Sequence, residues 1–266
     1  MVARGSGTSL AGWHARVRKR AAGSAHAVRE RQAEVRFEPE LRFFLAPRHR
    51  DGHATVRCDG TSTLGHMVES LGVPLTETGR LLVNGEEVPA ARRLGAGDLA
   101  EIGAVPRPQP VPAARFVLDV HLGTLARRLR LLGIDTAYAN DRDDDELVEQ
   151  ANAERRILLT QDRGLLHRRK LWLGAYVRGT RPDEQLRDVL GRFAPPLAPW
   201  TRCTSCNGML SRVRKADVAP ELPPGTRRSY DEFARCTDCG RLYWQGAHSA
   251  RLAAIVDEAA RTARGG

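Results

Sequence analysis

Four acidic residues carry the first chemical signal in the chain: Asp119, Asp144, Asp145 and Asp162. Asp119 closes the apolar run at 116–118 in "FVLDVHLGTLARRLRLLGIDT", and Asp162 stands two residues beyond Thr160 in "RILLTQDRGLL". Asp144 and Asp145 lie in "DDDELVEQANAERR" (143–156). Carboxylates gathered at one place repel one another unless a cation sits among them, and a hard divalent ion such as Mg²⁺ or Mn²⁺ suits such oxygen donors. With a phosphodiester across the metals, the chemistry is hydrolysis of the two-ion kind. The competing expectation is structural. Asp is a favoured helix N-cap, and each of these residues adjoins the start of a helical pattern. Asp143 is assigned as the cap proper and Asp183 as a cap, while Asp135 and Asp141 flank a strand and are left out.

A second signal is "CTSC" (203–206) and "CTDC" (236–239), two C-x₂-C knuckles 29 residues apart. Each supplies two thiolates, and together Cys203, Cys206, Cys236 and Cys239 complete a closed tetrahedral Zn²⁺ site with no position left for catalysis. Redox-active pairs are the rival, since a single C-x-x-C opening a helix lowers thiol pKa. The wide separation predicts a long excursion with "PELPPG" at its tip. Tyr243 and Trp244, just past the last knuckle, offer rings that stack on bases or pack the small module's core. His248 is a proton-shuttle or phosphate-contact candidate against a plain structural histidine. Cys58 is read as an ordinary residue of its own domain.

Positioning these residues requires alternating strands and helices. Apolar runs at 116–118, 134–138, 157–160 and 171–177 are separated by helical patterns at 121–132, 144–155 and 163–169, with a further helix at 183–192. Leu122, Leu125, Leu129 and Leu132 recur at helical spacing and predict the buried face of the first helix, which turns Arg127, Arg128 and Arg130 outward. Gly133 stops it. Alternation of this kind implies a parallel sheet with right-handed crossovers. Ligands of such sheets bind at the carboxyl ends of the strands, the edge that all four aspartates share. Arg127, Arg128, Arg130, Arg163, Arg168 and Arg169 are the candidates to hold a substrate backbone through phosphate charge, against the plainer view of solvated helix faces. Thr160 and Gln161 either contact phosphate or form the turn.

Residues 35–105 read as a compact α+β unit: strands in "VRFEPELRFFL" and "ATVRCDG", a helix in "TLGHMVESLG", an Asn-Gly hairpin in "RLLVNGEEVP" and a closing strand in "GDLAEIG". The Pro-rich segment within 106–114 is expected to be an extended spacer. Residues 115–193 form the α/β domain, 200–248 the cysteine module and 249–266 a helical tail. Residues 1–34 have no acid before Glu30 and are expected to be a disordered basic tail, with a transit peptide or a nucleic-acid arm as alternatives.

The chain has 266 residues and net charge +10, which favours a polyanionic partner. Almost all its bases are Arg, with Lys only at 19, 170 and 215, so genomic composition is a second source of that charge. No apolar stretch approaches the roughly 20 residues of a membrane span. Residues 1–20 lack the apolar middle of a secretory signal, so a cytoplasmic, reducing location is expected, where cysteines bind metal.

"FVLDVHLGTLARRLRLLGIDTAY", "DDDELVEQANAERRILLTQDRGLL" and the two-knuckle segment ending "CGRLYWQGAH" together resemble the Mut-seven C-terminal RNase domain family of the PIN-like nuclease superfamily, over about 115–248. The unit at 35–105, with "VNGEEV" then "LGAGDLAEI", resembles ubiquitin-like β-grasp domains of sulfur-carrier type, which family members often carry. Sulfur carriers end in a free diglycine, whereas here the chain continues through 103–105. The resemblance implies ribonuclease activity, places the active-site acids at Asp119, Asp144 or Asp145, and Asp162, and shows one departure: Gln161 stands where an Arg usually precedes the aspartate. The expectation is therefore an α/β chain with a PIN-like parallel sheet flanked by helices, followed by a zinc ribbon and preceded by a β-grasp domain. Its function is divalent-metal-dependent RNA hydrolysis, with the β-grasp domain recruiting a protein partner. A non-catalytic RNA-binding protein and a β-grasp adaptor in a sulfur or cofactor pathway are the alternatives.

Overall fold

The computed structural model describes residues 31–244 and 249–264, so the expectations for the basic tail up to residue 30 and for His248 fall outside the described residues. The chain divides into two compact units at Ala104/Val105.

The first unit is a five-stranded mixed sheet of order β2-β1-β5-β3-β4. Its strands are β1 (Gln32–Phe37), β2 (His53–Arg57), β3 (Thr78–Val83), β4 (Glu86–Glu87) and β5 (Leu99–Ala104), with helix α1 (Leu64–Ser70) between β2 and β3. β1 and β5 run parallel at the centre, and the other pairs are antiparallel. The hairpin turn is the expected one: Asn84 and Gly85 both take positive φ, +53° and +84°, as a two-residue turn matched to strand twist demands. Two boundaries differ from expectation. β1 begins three residues before 35, and the run at 35–45 is a strand only to Phe37. From Pro39 it winds into a 3₁₀ helix (Pro39–Phe44) that buries Leu41 and Phe44, because proline at the first helical position suits a helix start and breaks a strand ladder.

The second unit holds a four-stranded, wholly parallel sheet of order β7-β6-β8-β9. β6 (Phe116–Leu118), β7 (Thr136–Tyr138), β8 (Ile157–Thr160) and β9 (Gly174–Tyr176) alternate with α2 (Gly123–Leu131), α3 (Asp144–Ala153), α4 (Arg163–Leu166) and α5 (Pro182–Phe193). Strand residues point alternately to two cores, as pleating requires. Phe116, Leu118, Ile157 and Leu159 pack with Leu122, Leu125, Leu129 and Leu132 around α2 and with Leu186, Val189 and Leu190 of α5. Val117 and Leu158 face Leu147, Val148 and Ala151 of α3. Each fully buried leucine contributes about 1.5–3 kcal/mol through removal from water. α2 ends where the sequence predicts: Gly133 sits at φ +80°, and a Cβ there would collide with the Ala198 carbonyl.

The remaining elements correct two expectations. The Pro-rich segment is docked on the sheet domain. The Gln109 N–H donates to Arg192 O (2.6 Å), Gln109 Oε1 accepts from Arg192 Nε (2.8 Å), and Arg107 pairs with Asp188 (2.8 Å). The reason is Arg192, which is 1% exposed and must find acceptors inside the protein. The C-terminal helix α8 (Ser249–Arg264) is likewise part of the core, with Ala259 buried and Ile255 and Val256 packed against the α2/α5 layer. Between α5 and α8, β10 (Leu210–Val213), β11 (Phe233–Cys236) and β12 (Leu242–Trp244) form an antiparallel sheet, and short helices α6 (Lys215–Val218) and α7 (Pro224–Ser229) fill the expected excursion. Val218, Leu222 and Phe233 are its core.

Candidate functional site

A strand order of 2-1-3-4 has its reversal point between the first and third strands, here β6 and β8. The chain leaves β6 toward one core and β8 toward the other, and in sheets of this kind ligands bind at the carboxyl ends of the strands beside the reversal. Asp119 follows β6 and Thr160 ends β8. The Asp119 N–H continues the ladder by donating to Leu159 O (3.0 Å), which fixes its backbone at the carboxyl end of β6.

The Asp119 side chain is 7% exposed and caps nothing: it makes no bond to the N–H groups of the 3₁₀ turn that follows. One oxygen, Oδ2, accepts from Thr160 Oγ1 at 2.6 Å. The hydroxyl of the fully buried Thr160 in turn accepts from the Asp162 N–H at 2.9 Å. An ionised carboxylate oxygen only accepts, so the hydroxyl proton is directed to Asp119. Oδ1 of Asp119 has no partner among the described residues.

The other acids differ. Asp162 caps α4 by accepting from the Gly164 N–H (2.7 Å), so it does structural work whatever else it does. Asp143 is the cap of α3, in a reciprocal capping box with Glu146. That leaves Asp144 and Asp145 free of capping. They are exposed and paired with Arg168, whose Nη1 lies 2.7 Å from Asp145 Oδ1 and whose Nη2 lies 3.5 Å from Asp144 Oδ2. The four aspartates share one edge of the sheet, but no three of them bring ligand oxygens all within 4.8 Å of one another. Among the described residues, the four cysteines are the one group of three or more His, Cys, Asp or Glu side chains whose ligand atoms all lie within 4.8 Å of one another.

The expected phosphate-binding arginines divide. Arg127 and Arg169 are exposed. Arg163 is half-buried and engaged in the structure, and Arg168 holds the two acids. Arg128 is largely buried and paired with Asp183. Asp183, expected to cap α5 with a peripheral ligand role as the alternative, stands inside the first turn, and the cap position is Arg181. Arg130 corrects the helical-wheel expectation outright. It is 3% exposed, and its guanidinium donates to Thr136 O (2.8 Å) and Ser205 O (2.6 Å), so it binds the sheet to the first knuckle and faces no solvent. Gln161 fits the turn alternative. Its Nε2 donates to Val177 O (2.9 Å) and Gly179 O (2.7 Å), tying the ends of β8 and β9 together.

In the cysteine centre Cys203 and Cys236 are buried while Cys206 and Cys239 are exposed. The sulfurs are 3.7 Å apart for Cys203–Cys239 and 3.4 Å for Cys206–Cys236. Burial pushes the Cys203 thiol up, but the Tyr243 hydroxyl at 3.0 Å and nearby backbone N–H groups outweigh it and bring the thiol down to about 6. Cys206, desolvated and ringed by the other three sulfurs, is pushed up to about 12. Four thiols at such distances release one proton easily and the next with difficulty, so a dication is what lets all four ionise. Tyr243 is thus built into the centre, whereas Trp244 is 38% exposed.

Sequence reasoning missed Asn207. Its Oδ1 accepts from the Thr136 N–H (3.0 Å) on the edge strand β7, and its Nδ2 donates to Asp135 Oδ1 (2.9 Å). Asp135 also binds Arg115 and Arg156. An Asn just after a C-x₂-C turn was the available signal, since its φ is +75°.

Residues 114–256 match the family model described as the Mut7-C RNAse domain, and residues 30–110 match the one described as Mut7-C ubiquitin. No curated protein matches the chain, and no solved structure does. Among the described residues no helix is long and apolar enough to cross a membrane.

Proposed function

Because the chain belongs to the Mut7-C RNAse domain family, we propose that it is a ribonuclease that hydrolyses RNA phosphodiester bonds with divalent ions held by Asp119, Asp162 and Asp144 or Asp145. The observation that carries this is Asp119, a nearly buried carboxylate at the reversal point of the sheet that caps no helix and keeps one oxygen open. The donor set is all hard oxygen, which fits Mg²⁺ or Mn²⁺. When bound, such ions activate water and stabilise the leaving oxygen. The Arg168 pairs with Asp144 and Asp145 oppose this only weakly. They are exposed, so they are worth about 0.2–1 kcal/mol each, and a divalent ion or an RNA phosphate displaces them at little cost. Thr160 holds one oxygen of Asp119, and the other is available as a metal ligand. Arg127, Arg163, Arg168 and Arg169 attract the RNA backbone by charge without reading sequence, and Trp244 offers a ring for a base.

The four cysteines hold a structural Zn²⁺, because four thiolates close its coordination. The β-grasp unit recruits a protein partner. Sulfur-carrier chemistry is disfavoured there, since β5 ends at Ala104 and the chain goes on. We place the enzyme in the cytoplasm. One observation favours the rival of an RNA-binding protein without catalysis: Asp162 does cap its helix. The discriminating experiment is RNA cleavage with and without Mn²⁺, run on wild type and Asp119→Asn. Mn²⁺-dependent cleavage lost in the variant supports the enzyme, and equal cleavage by both proteins overturns the assignment of Asp119.

A further inference from the structure

A zinc ion bound by four thiolates is a net dianion, and half of this centre is buried. A buried charge without a partner is costly, so such a centre needs a compensating cation or hydrogen-bond donors close by. Arg130 is a buried guanidinium with the complementary problem. It comes from α2 of the parallel-sheet domain and is 3% exposed, and its guanidinium donates to backbone carbonyls. Two of those carbonyls, Thr204 and Ser205, lie inside the first knuckle, between Cys203 and Cys206. The other two, Thr136 and Tyr138, lie on β7. A cation is kept in such a place when a nearby anion repays its desolvation.

We propose that Arg130 is the counter-cation of the four-thiolate centre and that, through it and Asn207, metal loading controls the order of β7, the strand that leads to Asp144 and Asp145. The proposal rests on zinc occupying the centre. β7 is an edge strand, and its Thr136 N–H is satisfied by the Asn207 side chain of the knuckle, where another strand would otherwise stand. The knuckle can present Asn207 and the Thr204 and Ser205 carbonyls only while its turn is held, and the metal holds it. Loss of metal therefore removes the anion from Arg130 and the cover from the edge of β7 at one stroke.

Two measurements on the full chain test this. In the wild type, hydrogen exchange of the Thr136 amide is followed by NMR with zinc bound and after removal by EDTA. The Thr136 amide should be protected with zinc and lose protection without it. The Asp119 amide, bonded to Leu159 O on the inner ladder, should stay protected in both states. In Arg130→Gln, zinc affinity measured by competition with a chromophoric chelator should fall by about tenfold to a hundredfold, the usual effect of losing a group that supports metal ligands. Arg130→Lys, which keeps the charge, should recover part of the loss. A chain that takes up no zinc overturns both the metal assignment and this proposal. A chain that binds zinc, yet whose Thr136 amide stays protected after chelation, overturns the coupling alone. Unchanged affinity in a folded Arg130→Gln overturns the counter-charge role.

Discussion

At the scale of residues, aspartates of the same type at one edge of a sheet part company by what their oxygens touch. Asp143 spends its side chain on the Glu146 N–H, and replacing it with Ala should cost about 0.5–2 kcal/mol, the usual value of an N-cap. That loss is read as a lowered melting temperature with RNA cleavage retained. Asp119 spends one oxygen on Thr160 and none on a helix. Asp119→Asn keeps the size and an acceptor for the Thr160 hydroxyl but removes the charge a hard cation needs. The expected result is a folded protein, equal to wild type or higher in melting temperature, with no Mn²⁺-dependent thermal shift and no cleavage. A destabilised Asn variant that still cleaves RNA would mark Asp119 as structural. The sequence exposed these acids through their place after apolar runs. It also set Asp143 apart as the cap, and the capping box with Glu146 agrees, but it could not choose between Asp144 and Asp145, adjacent residues that both stand in the first turn of α3. Arg130 was illegible for a related reason: on a helical wheel it is one of three outward arginines, and only the knuckle, more than 70 residues away in sequence, covers it.

At the scale of elements, β6 and β8 match the apolar runs at 116–118 and 157–160 residue for residue. Fully buried parallel strands read as unbroken apolar runs, so their limits are plain. The first strand of the β-grasp unit was overrun because apolar side chains recur at Leu41, Phe43 and Phe44 within a 3₁₀ helix, whose period a short window does not resolve. The Pro-rich segment looked like a spacer since nothing in its composition announces the buried Arg192 that it serves. Asp135, at the junction of β7 and the first knuckle, gives a pH signature. Burial raises its pKa, but hydrogen bonds from Arg156 and Asn207, with charge from Arg156 and Arg202, prevail and lower it. A carboxylate depressed in the folded state contributes stability that is complete above its unfolded value, about 3.9, and is lost as pH falls through its lower folded value. Acid titration of stability should therefore be shallower below about pH 4 in Asp135→Asn than in wild type. Equal slopes would mean that Asp135 is not depressed.

At the scale of the whole molecule, every residue of the two cores around the parallel sheet and of the small core beside the cysteines lies beyond Ala104. This fits the division at Ala104/Val105, and two truncations follow from it. If the proposed function is right, a chain beginning at Val105 keeps Arg107, Gln109 and Val111 on the parallel-sheet domain and should cleave a generic RNA at close to the wild-type rate. A chain beginning at Arg115 looks equivalent by sequence, since it removes only what reads as a Pro-rich spacer. It should nevertheless melt lower, because it strips the Gln109 acceptor from the buried Arg192 guanidinium and takes Val111 and Ala114 from the α2/α5 core. A buried donor left without its acceptor costs about 1–3 kcal/mol, and lost apolar burial adds to it. Comparing the melting curves and cleavage rates of the two truncates separates the possibilities. Equal stability would show that 105–114 is a spacer after all. A Val105 truncate that is folded but inactive would place part of the RNA-binding surface on the β-grasp unit and remove the reason for treating it as a recruitment module.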